Sequence, residues 1–195
     1  YTVAIGSGCG ENITQTGAGR VNTLVGGTAG RALTDGNGNV AVGYQALYTS
    51  QTGDFNTAIG YGALLTSNQD AANSNTAVGY LAGTLITTGT YNTILGANAG
   101  DALTDNVGNI AIGYNSLGTA NTGEAYNVAI GYQAMANADN SSTEKNIGIG
   151  SNALYVSSGE NNIGIGDVAG GNATSMAADN IIAIGREALY GQLTS

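Results

Sequence analysis

Short stretches in which branched and small side chains alternate recur along this chain, and each stretch ends in a glycine. Examples are NTAIGYGAL (56–64), NTAVGYLAG (75–83) and NIAIGYNSL (109–117). We number each repeat from this anchor glycine, position 0. Position −1 is always aliphatic, −2 is mostly Ala or Gly, and −3 is always β-branched. This period-two alternation predicts a β-strand of about five residues in every repeat, with one bulky and one flat face.

Eleven copies of this repeat fill the chain from end to end, and the step between successive anchor glycines varies little. The anchors are Gly6, Gly26, Gly43, Gly60, Gly79, Gly96, Gly113, Gly131, Gly150, Gly166 and Gly185. A strand this short hides its bulky face only by stacking on the next copy. The sequence therefore predicts an all-β parallel β-solenoid of eleven coils of about 18 residues, forming a single domain over 1–195.

Three further features of the repeat support stacked coils. Asn occupies −4 in nine copies, which predicts a ladder of side-chain amides along the solenoid axis. The anchor glycine suits a corner where backbones approach closely, and the small residue at +3 suits a cramped inner corner. Between the repeats lie about 7 to 11 residues rich in turn formers, which we expect outside the stacked wall.

The flat column at −2 has two interpretations. It contains Ala4, Leu24, Ala41, Ala58, Ala77, Ile94, Ala111, Ala129, Gly148, Gly164 and Ala183. An exposed apolar stripe would be an interaction patch, and we favour it as the face on which three chains pack around a common axis. Alternatively, these small side chains line the tight core of a single chain.

The pattern N-[TVI]-A-[IV]-G-x-x-A resembles the head repeats of YadA-like trimeric autotransporter adhesins and the related repeats of bacteriophage tail fibres. The resemblance extends over all eleven copies, although the adhesin repeat is shorter than the one found here. It implies a left-handed parallel β-roll, a homotrimer with chains intertwined or side by side, and host or matrix contacts along a fibre. It also implies that this chain is a fragment of a longer fibre protein.

The run I-G-Y-x-A-L also satisfies the hexapeptide pattern of left-handed β-helix acyltransferases. Only about one third of each coil fits that pattern, and those enzymes generally rely on a catalytic His. This chain contains no His, so we favour the fibre interpretation.

The composition argues against several functional classes. The 195 residues include 33 Gly, one Cys and no Pro, Trp or His, and the net charge is −9. The lack of His and the single Cys argue against zinc and iron–sulfur sites, and the acidic charge argues against nucleic-acid binding. No apolar run is long enough to span a membrane. We expect no cofactor, metal, catalytic residue or membrane insertion.

Acidic residues offer the only candidate chemistry. Asp35 and Asp105 occupy equivalent places in LTDGNGN (33–39) and LTDNVGN (103–109), and Asp101 lies near the second segment. Two carboxylates can hydrolyse a glycoside, and loop oxygens can bind Ca²⁺. We interpret these residues instead as solvated turn residues that cap their own backbone. Cys9 stands in the small +3 column and is expected to be a small buried residue.

Tyrosines follow the anchor glycine in the middle of the chain, at Tyr44, Tyr61, Tyr80, Tyr114 and Tyr132. Stacked aromatic rings bind sugars or proteins, but they are also common strand residues. We favour the structural interpretation and keep the ligand-facing one open.

The predicted function is a non-enzymatic structural or adhesive fibre segment, extracellular, on a virion tail fibre or a bacterial cell surface. Its partners would be copies of itself and a host receptor protein or glycan contacted by loops. One alternative is a filament subunit that stacks end to end. A weaker one is a monomeric ice-binding solenoid, whose threonine column (Thr23, Thr57, Thr76 and Thr93) is interrupted by Val40, Ile110 and Val128.

Overall fold

The computed structural model describes residues 1–14, 21–67, 73–119, 123, 125–138, 144–156, 159–171 and 179–190. Within them, one strand of three residues occupies positions −3 to −1 of every repeat. The strands, β1 to β11, are Val3–Ile5, Thr23–Val25, Val40–Val42, Thr57–Ile59, Thr76–Val78, Thr93–Leu95, Ile110–Ile112, Val128–Ile130, Ile147–Ile149, Ile163–Ile165 and Ile182–Ile184. All eleven form one parallel sheet in chain order. The predicted parallel β-solenoid is confirmed.

Each repeat pairs with the next in the same register, whatever the spacing between them. Ala41 pairs with Ala58, and Ala58 pairs with Ala77, although the second step along the chain is longer than the first. The differences in length are therefore absorbed outside the sheet.

The strands are shorter than predicted because both ends leave the strand pattern. At the start, the backbone N–H of the Asn at −4 bonds to a side chain: Asn39 N donates to Asn22 Oδ1 at 2.9 Å. At the end, every anchor glycine has a positive φ, between 117° and 142°. A Cβ added to any of the first ten would lie at most 2.6 Å from the carbonyl oxygen of the next anchor glycine. Only glycine allows that approach.

The −2 column points into the solenoid, which corrects the favoured interpretation of it as a trimer face. Ala41, Ala58, Ala77 and Ala111 are completely buried, and of the whole column only Ala4 in the first coil is exposed. The alternative, a tight core within one chain, is confirmed. Small residues predominate there, with Leu24 and Ile94 as exceptions, because large side chains from the preceding coil enter from the opposite side. A Cβ on Gly148, for example, would lie 2.9 Å from Cγ of Met135.

The opposite side of the core is built by the turn that follows each strand. Position +3 is small and buried from Ala29 to Ala169, as predicted for an inner corner, and Cys9 is half-buried in the first coil. Burial raises the pKa of the Cys9 thiol. The turn supplies a large core side chain from +4 in some coils and from +7 in others. These are Leu33, Leu47, Leu64, Ile86, Leu103, Leu117, Met135 and Leu154, and two further large core residues, Leu24 and Ile94, stand at −2.

A buried ladder of asparagines runs along the axis, as predicted. Its members are Asn22, Asn39, Asn56, Asn75, Asn92, Asn109, Asn127, Asn146 and Asn162. Each Oδ1 accepts the backbone N–H of the −4 residue in the next coil, at 2.8 to 3.1 Å. Several Nδ2 groups donate to a carbonyl in the segment that follows, such as Asn92 Nδ2 to Asn106 O at 2.8 Å. The ladder thus satisfies polar groups that lie away from water.

Part of the segment between repeats also stacks, so the expectation that all of it lies outside the wall is wrong. Parallel bridges join Thr90 to Val107, Val107 to Ala125 and Ala125 to Glu144. These four residues all stand at −6, which makes a second, sparser line of contacts between coils.

Candidate functional site

The outer face of the sheet carries mostly aliphatic side chains along its whole length, with threonine at −3 in four of the strands. Because −2 points inward, −3 and −1 point outward, which puts two β-branched or aliphatic side chains per strand on the surface. None of these positions carries a charge. Even in the middle of the sheet, Leu95 is 47 % exposed. We call this surface the outer sheet face.

The tyrosines at +1 form two stacked groups beside the outer sheet face. Ring centres are 5.4 Å apart for Tyr44 and Tyr61, 5.5 Å for Tyr61 and Tyr80, and 5.5 Å for Tyr114 and Tyr132. The repeat of the coils, about 4.8 Å, sets this spacing. Ala97 occupies +1 in the intervening coil and separates the two groups. All five rings are about half exposed, and ligand binding by them stays a prediction.

A second set of aromatic side chains stands at −5 and was missed in the sequence. Phe55, Tyr91 and Tyr126 are exposed, and each precedes a ladder asparagine. Phe55 and Tyr126 lie over Gly38 and Gly108 of the preceding coil, where an added Cβ would lie 2.6 and 2.9 Å from their rings. The sequence signal that could have predicted this set is the recurrence of an aromatic residue directly before a ladder asparagine. Along the chain, aromatic residues therefore flank the strands on both sides.

The threonines of the ice-binding alternative do lie on the outer sheet face. Thr23, Thr76 and Thr93 are exposed and Thr57 is half-buried. Thr57, Thr76 and Thr93 are direct neighbours across β4, β5 and β6, whereas Val40 separates Thr23 from them. The threonine array is therefore three strands wide.

The acidic residues are not brought together. Asp35 and Asp105 are both exposed and stand four coils apart, roughly 20 Å at the usual strand spacing. Asp101 is half-buried, and its Oδ1 has no hydrogen-bond partner among the described residues. Desolvation raises the pKa of the Asp101 carboxyl. In the part of the chain that the structure describes, no three His, Cys, Asp or Glu side chains cluster as a metal site would require.

Arg31 forms an ion pair with Glu11 and a hydrogen bond with Tyr48 in the first three coils. Arg31 Nε lies 2.7 Å from Glu11 Oε2, and Arg31 Nη1 donates to the Tyr48 hydroxyl at 2.7 Å. The guanidinium also lies 5.8 Å from the Tyr48 ring centre. These partners raise the pKa of Arg31 further and engage its Nε and Nη1 donors. The group borders a cavity of about 260 Å³.

None of the protein-family models, curated proteins and solved structures compared with this chain matches it. The resemblance to adhesin heads and tail fibres therefore stays a prediction from the motif. Over the described residues, no helix is long and apolar enough to cross a membrane.

Proposed function

We propose that this chain is a structural and adhesive segment of an extracellular fibre on a virion or a bacterial cell surface. Three copies would pack through the outer sheet face, and the loops would contact a host receptor protein or glycan. The observation that carries the proposal is the uncharged, β-branched outer sheet face, which continues through all eleven coils.

The size of this face supports burial against further copies of the chain. Eleven strands at ~4.8 Å span about 50 Å, and three residues per strand give a width of about 10 Å, hence roughly 500 Å² per chain. The aromatic side chains at +1 and −5 extend it on both sides. A stable interface buries about 800 Å² per partner, and an apolar patch of several hundred Å² on a monomer usually marks an interaction site.

The distribution of charge also supports another copy of the chain as the partner. The net charge is −9, yet the charged side chains stand in turns and between repeats and not on the outer sheet face. A partner of matching chemistry is therefore flat and apolar, and another copy of this face satisfies both requirements. The varied polar loops remain outside, where many weak contacts add through multivalency.

Light scattering on the chromatographed protein tests the trimer. We expect a mass three times that of one chain, which is 19.3 kDa. Ile112→Glu places a charge in the centre of the outer sheet face and should give a monomer. Thr88→Glu adds the same charge at an exposed turn residue and should remain a trimer. A wild-type mass equal to that of a single chain would contradict the proposal.

An end-to-end filament is the second candidate, favoured by the two outermost strands. Val3, Ile5, Ile182 and Ile184 are all more than half exposed. A Cβ on Gly185 would meet no atom within 4 Å, whereas every earlier anchor glycine faces the next one. Within the described residues, β1 and β11 therefore each leave one strand edge unpaired, and an unpaired edge is a template for another strand. Electron microscopy would show long fibres in this case and short rods for the trimer.

A further inference from the structure

A cleft between the ninth and eleventh coils has the composition of a ligand site. Its volume is about 300 Å³, the lower end of the range for small-molecule pockets. It is lined by Asn152, Tyr155, Val168, Gly171, Glu187 and Tyr190.

A glycine stands between the two tyrosines of the cleft. Tyr155, Gly171 and Tyr190 all stand at +5 in three successive coils. The two tyrosines are therefore separated by two coil repeats, roughly 10 Å, and among the described residues Gly171 and Val168 line the cleft in the coil between them. An added Cβ on Gly171 would overlap the carbonyl oxygen of Asn152 and lie 3.0 Å from Cγ1 of Val168. Position 171 therefore accepts no side chain.

The floor of the cleft is formed by Val168, which stands at +2. All eleven +2 residues have a left-handed φ, between 51° and 64°, so this backbone conformation belongs to the corner of every coil. Two hydrogen bonds hold Val168 in it: Val168 N donates to Ser151 O at 2.8 Å, and Gly171 N donates to Val168 O at 3.0 Å. The corner thus places an apolar side chain on the floor of the cleft.

Polar groups stand on both sides of this apolar floor. Asn152 and Glu187 occupy +2 in the ninth and eleventh coils, with Val168 at +2 between them. Asn152 Nδ2 donates to Ser151 Oγ at 3.0 Å. Glu187 Oε1 accepts from Arg186 Nη2 at 3.0 Å, and Arg186 Nε also lies 3.8 Å from Asp167 Oδ2, so one guanidinium serves two carboxylates. The cleft therefore offers an amide and an ion-paired carboxylate beside two aromatic rings.

We propose that this cleft binds one pyranose ring of a neutral glycan. A sugar ring presents C–H groups on its faces, which pack on Tyr155 and Tyr190, and hydroxyls at its edge, which reach Asn152 and Glu187. A quaternary ammonium would suit two aromatic rings and a carboxylate, but it would have to compete with Arg186, which already pairs with Glu187. The inference rests on the proposed function only in taking a glycan as the target of attachment.

Saturation-transfer NMR with methyl glycosides of glucose, galactose, mannose and N-acetylglucosamine tests the site. We expect at least one glycoside to bind with a Kd on the order of 1 mM, as suits a ligand of about a dozen heavy atoms. Tyr155→Ala and Tyr190→Ala should each weaken binding at least tenfold. Tyr190→Phe keeps the ring and should retain most of it. Tyr48→Ala is the matched control, because Tyr48 also stands at +5 but lies in the third coil, six coils before Tyr155.

Circular dichroism and light scattering on each variant establish that the fold and mass are unchanged. If none of the four glycosides binds, or if both alanine variants bind as the wild type does, the proposal is wrong. Displacement of the bound glycoside by tetramethylammonium would also overturn it, in favour of a cation site. These outcomes leave the fibre proposal intact, because that depends on the mass of the wild type and the Ile112→Glu variant. A monomeric wild type that binds a glycoside would contradict the fibre proposal and support the proposal of a glycan site in the cleft.

Discussion

Gly30 and Leu33 share one space in the core: a Cβ on Gly30 would lie 2.9 Å from Cδ1 of Leu33. In the next coil, which has the same length, Leu47 stands in place of Gly30 and Ser50 in place of Leu33, and both are buried. The glycine-first arrangement recurs at Gly83 with Ile86 and at Gly100 with Leu103. In each of these coils the turn thus supplies one large core side chain, from +4 or from +7, and Leu24 and Ile94 add a second one from −2 in two of them.

This exchange can be tested by converting one arrangement into the other. Leu47→Gly should lower the free energy of unfolding by about 2–4 kcal/mol, because it removes a buried side chain but relieves the left-handed φ of 52° at Leu47. Ser50→Leu alone should cost about 1–3 kcal/mol by overpacking. The double variant should return to within about 1 kcal/mol of the wild type in urea denaturation. Additive losses would contradict a shared space.

The anchor glycines should tolerate no side chain. Gly60→Ala places a Cβ against the carbonyl group of Gly79 at a φ of 133°, and we expect a loss of about 3 kcal/mol or more. Gly27→Ala is the control. Gly27 stands at +1, and its Cβ would meet only the exposed Tyr44 ring, at 3.1 Å. Thermal unfolding of the two variants should separate them clearly, and equal melting temperatures would contradict the role of the corner.

The asparagine ladder should be sensitive to the loss of a donor. Asn92→Asp turns the group that donates to Asn106 O at 2.8 Å into an acceptor and buries a charge, so we expect a loss on the order of 4 kcal/mol at pH 7. The loss should shrink as the pH falls, because the protonated carboxyl is neutral. Asn161→Asp, at an exposed position, should change stability little. Similar denaturation midpoints for both would contradict a structural ladder.

Asp101 should make stability depend on pH. Its pKa is raised in the folded chain by desolvation, so its charged form favours the unfolded state. Stability is therefore highest while the carboxyl is protonated and falls as the pH rises through the raised pKa. Asp101→Asn should stabilise the protein at pH 7, and this gain should vanish below about pH 3. Asp35→Asn, at an exposed residue, serves as the control in the same melting series. A gain that does not vary with pH would contradict this account.

The repeat made the fold predictable because its columns repeat eleven times, and each feature could be compared across copies. Period two shows that a strand has two faces, but it does not say which face is inside. The small −2 residues are inside because Leu47, Met135 and their equivalents fill the core from the following turn. Those large residues shift between +4 and +7, so they form no single column in the sequence.

The candidate sites were harder to predict from the sequence for a similar reason. Tyr44 and Tyr61 share a column and were found by comparison of repeats. Tyr155 and Tyr190 line a cleft with Gly171 between them, but +5 is aromatic in only three of the eleven repeats, so comparison of repeats reveals no column there. Val168 has a left-handed backbone that its residue type argues against, so only coordinates reveal it.

The single direction shared by all eleven strands has a further consequence. Because coils stack in chain order, the number of a residue gives its height, and each repeat raises the chain by about 4.8 Å. The sheet edges at β1 and β11 are therefore chemically different, and joining the β11 edge of one copy to the β1 edge of another is a heterologous contact that leaves the assembly open. Duplication of one repeat would move every later loop outward by one such step and leave the pairing within the sheet unchanged. The length of the solenoid and the chemistry of its loops can therefore change independently in evolution.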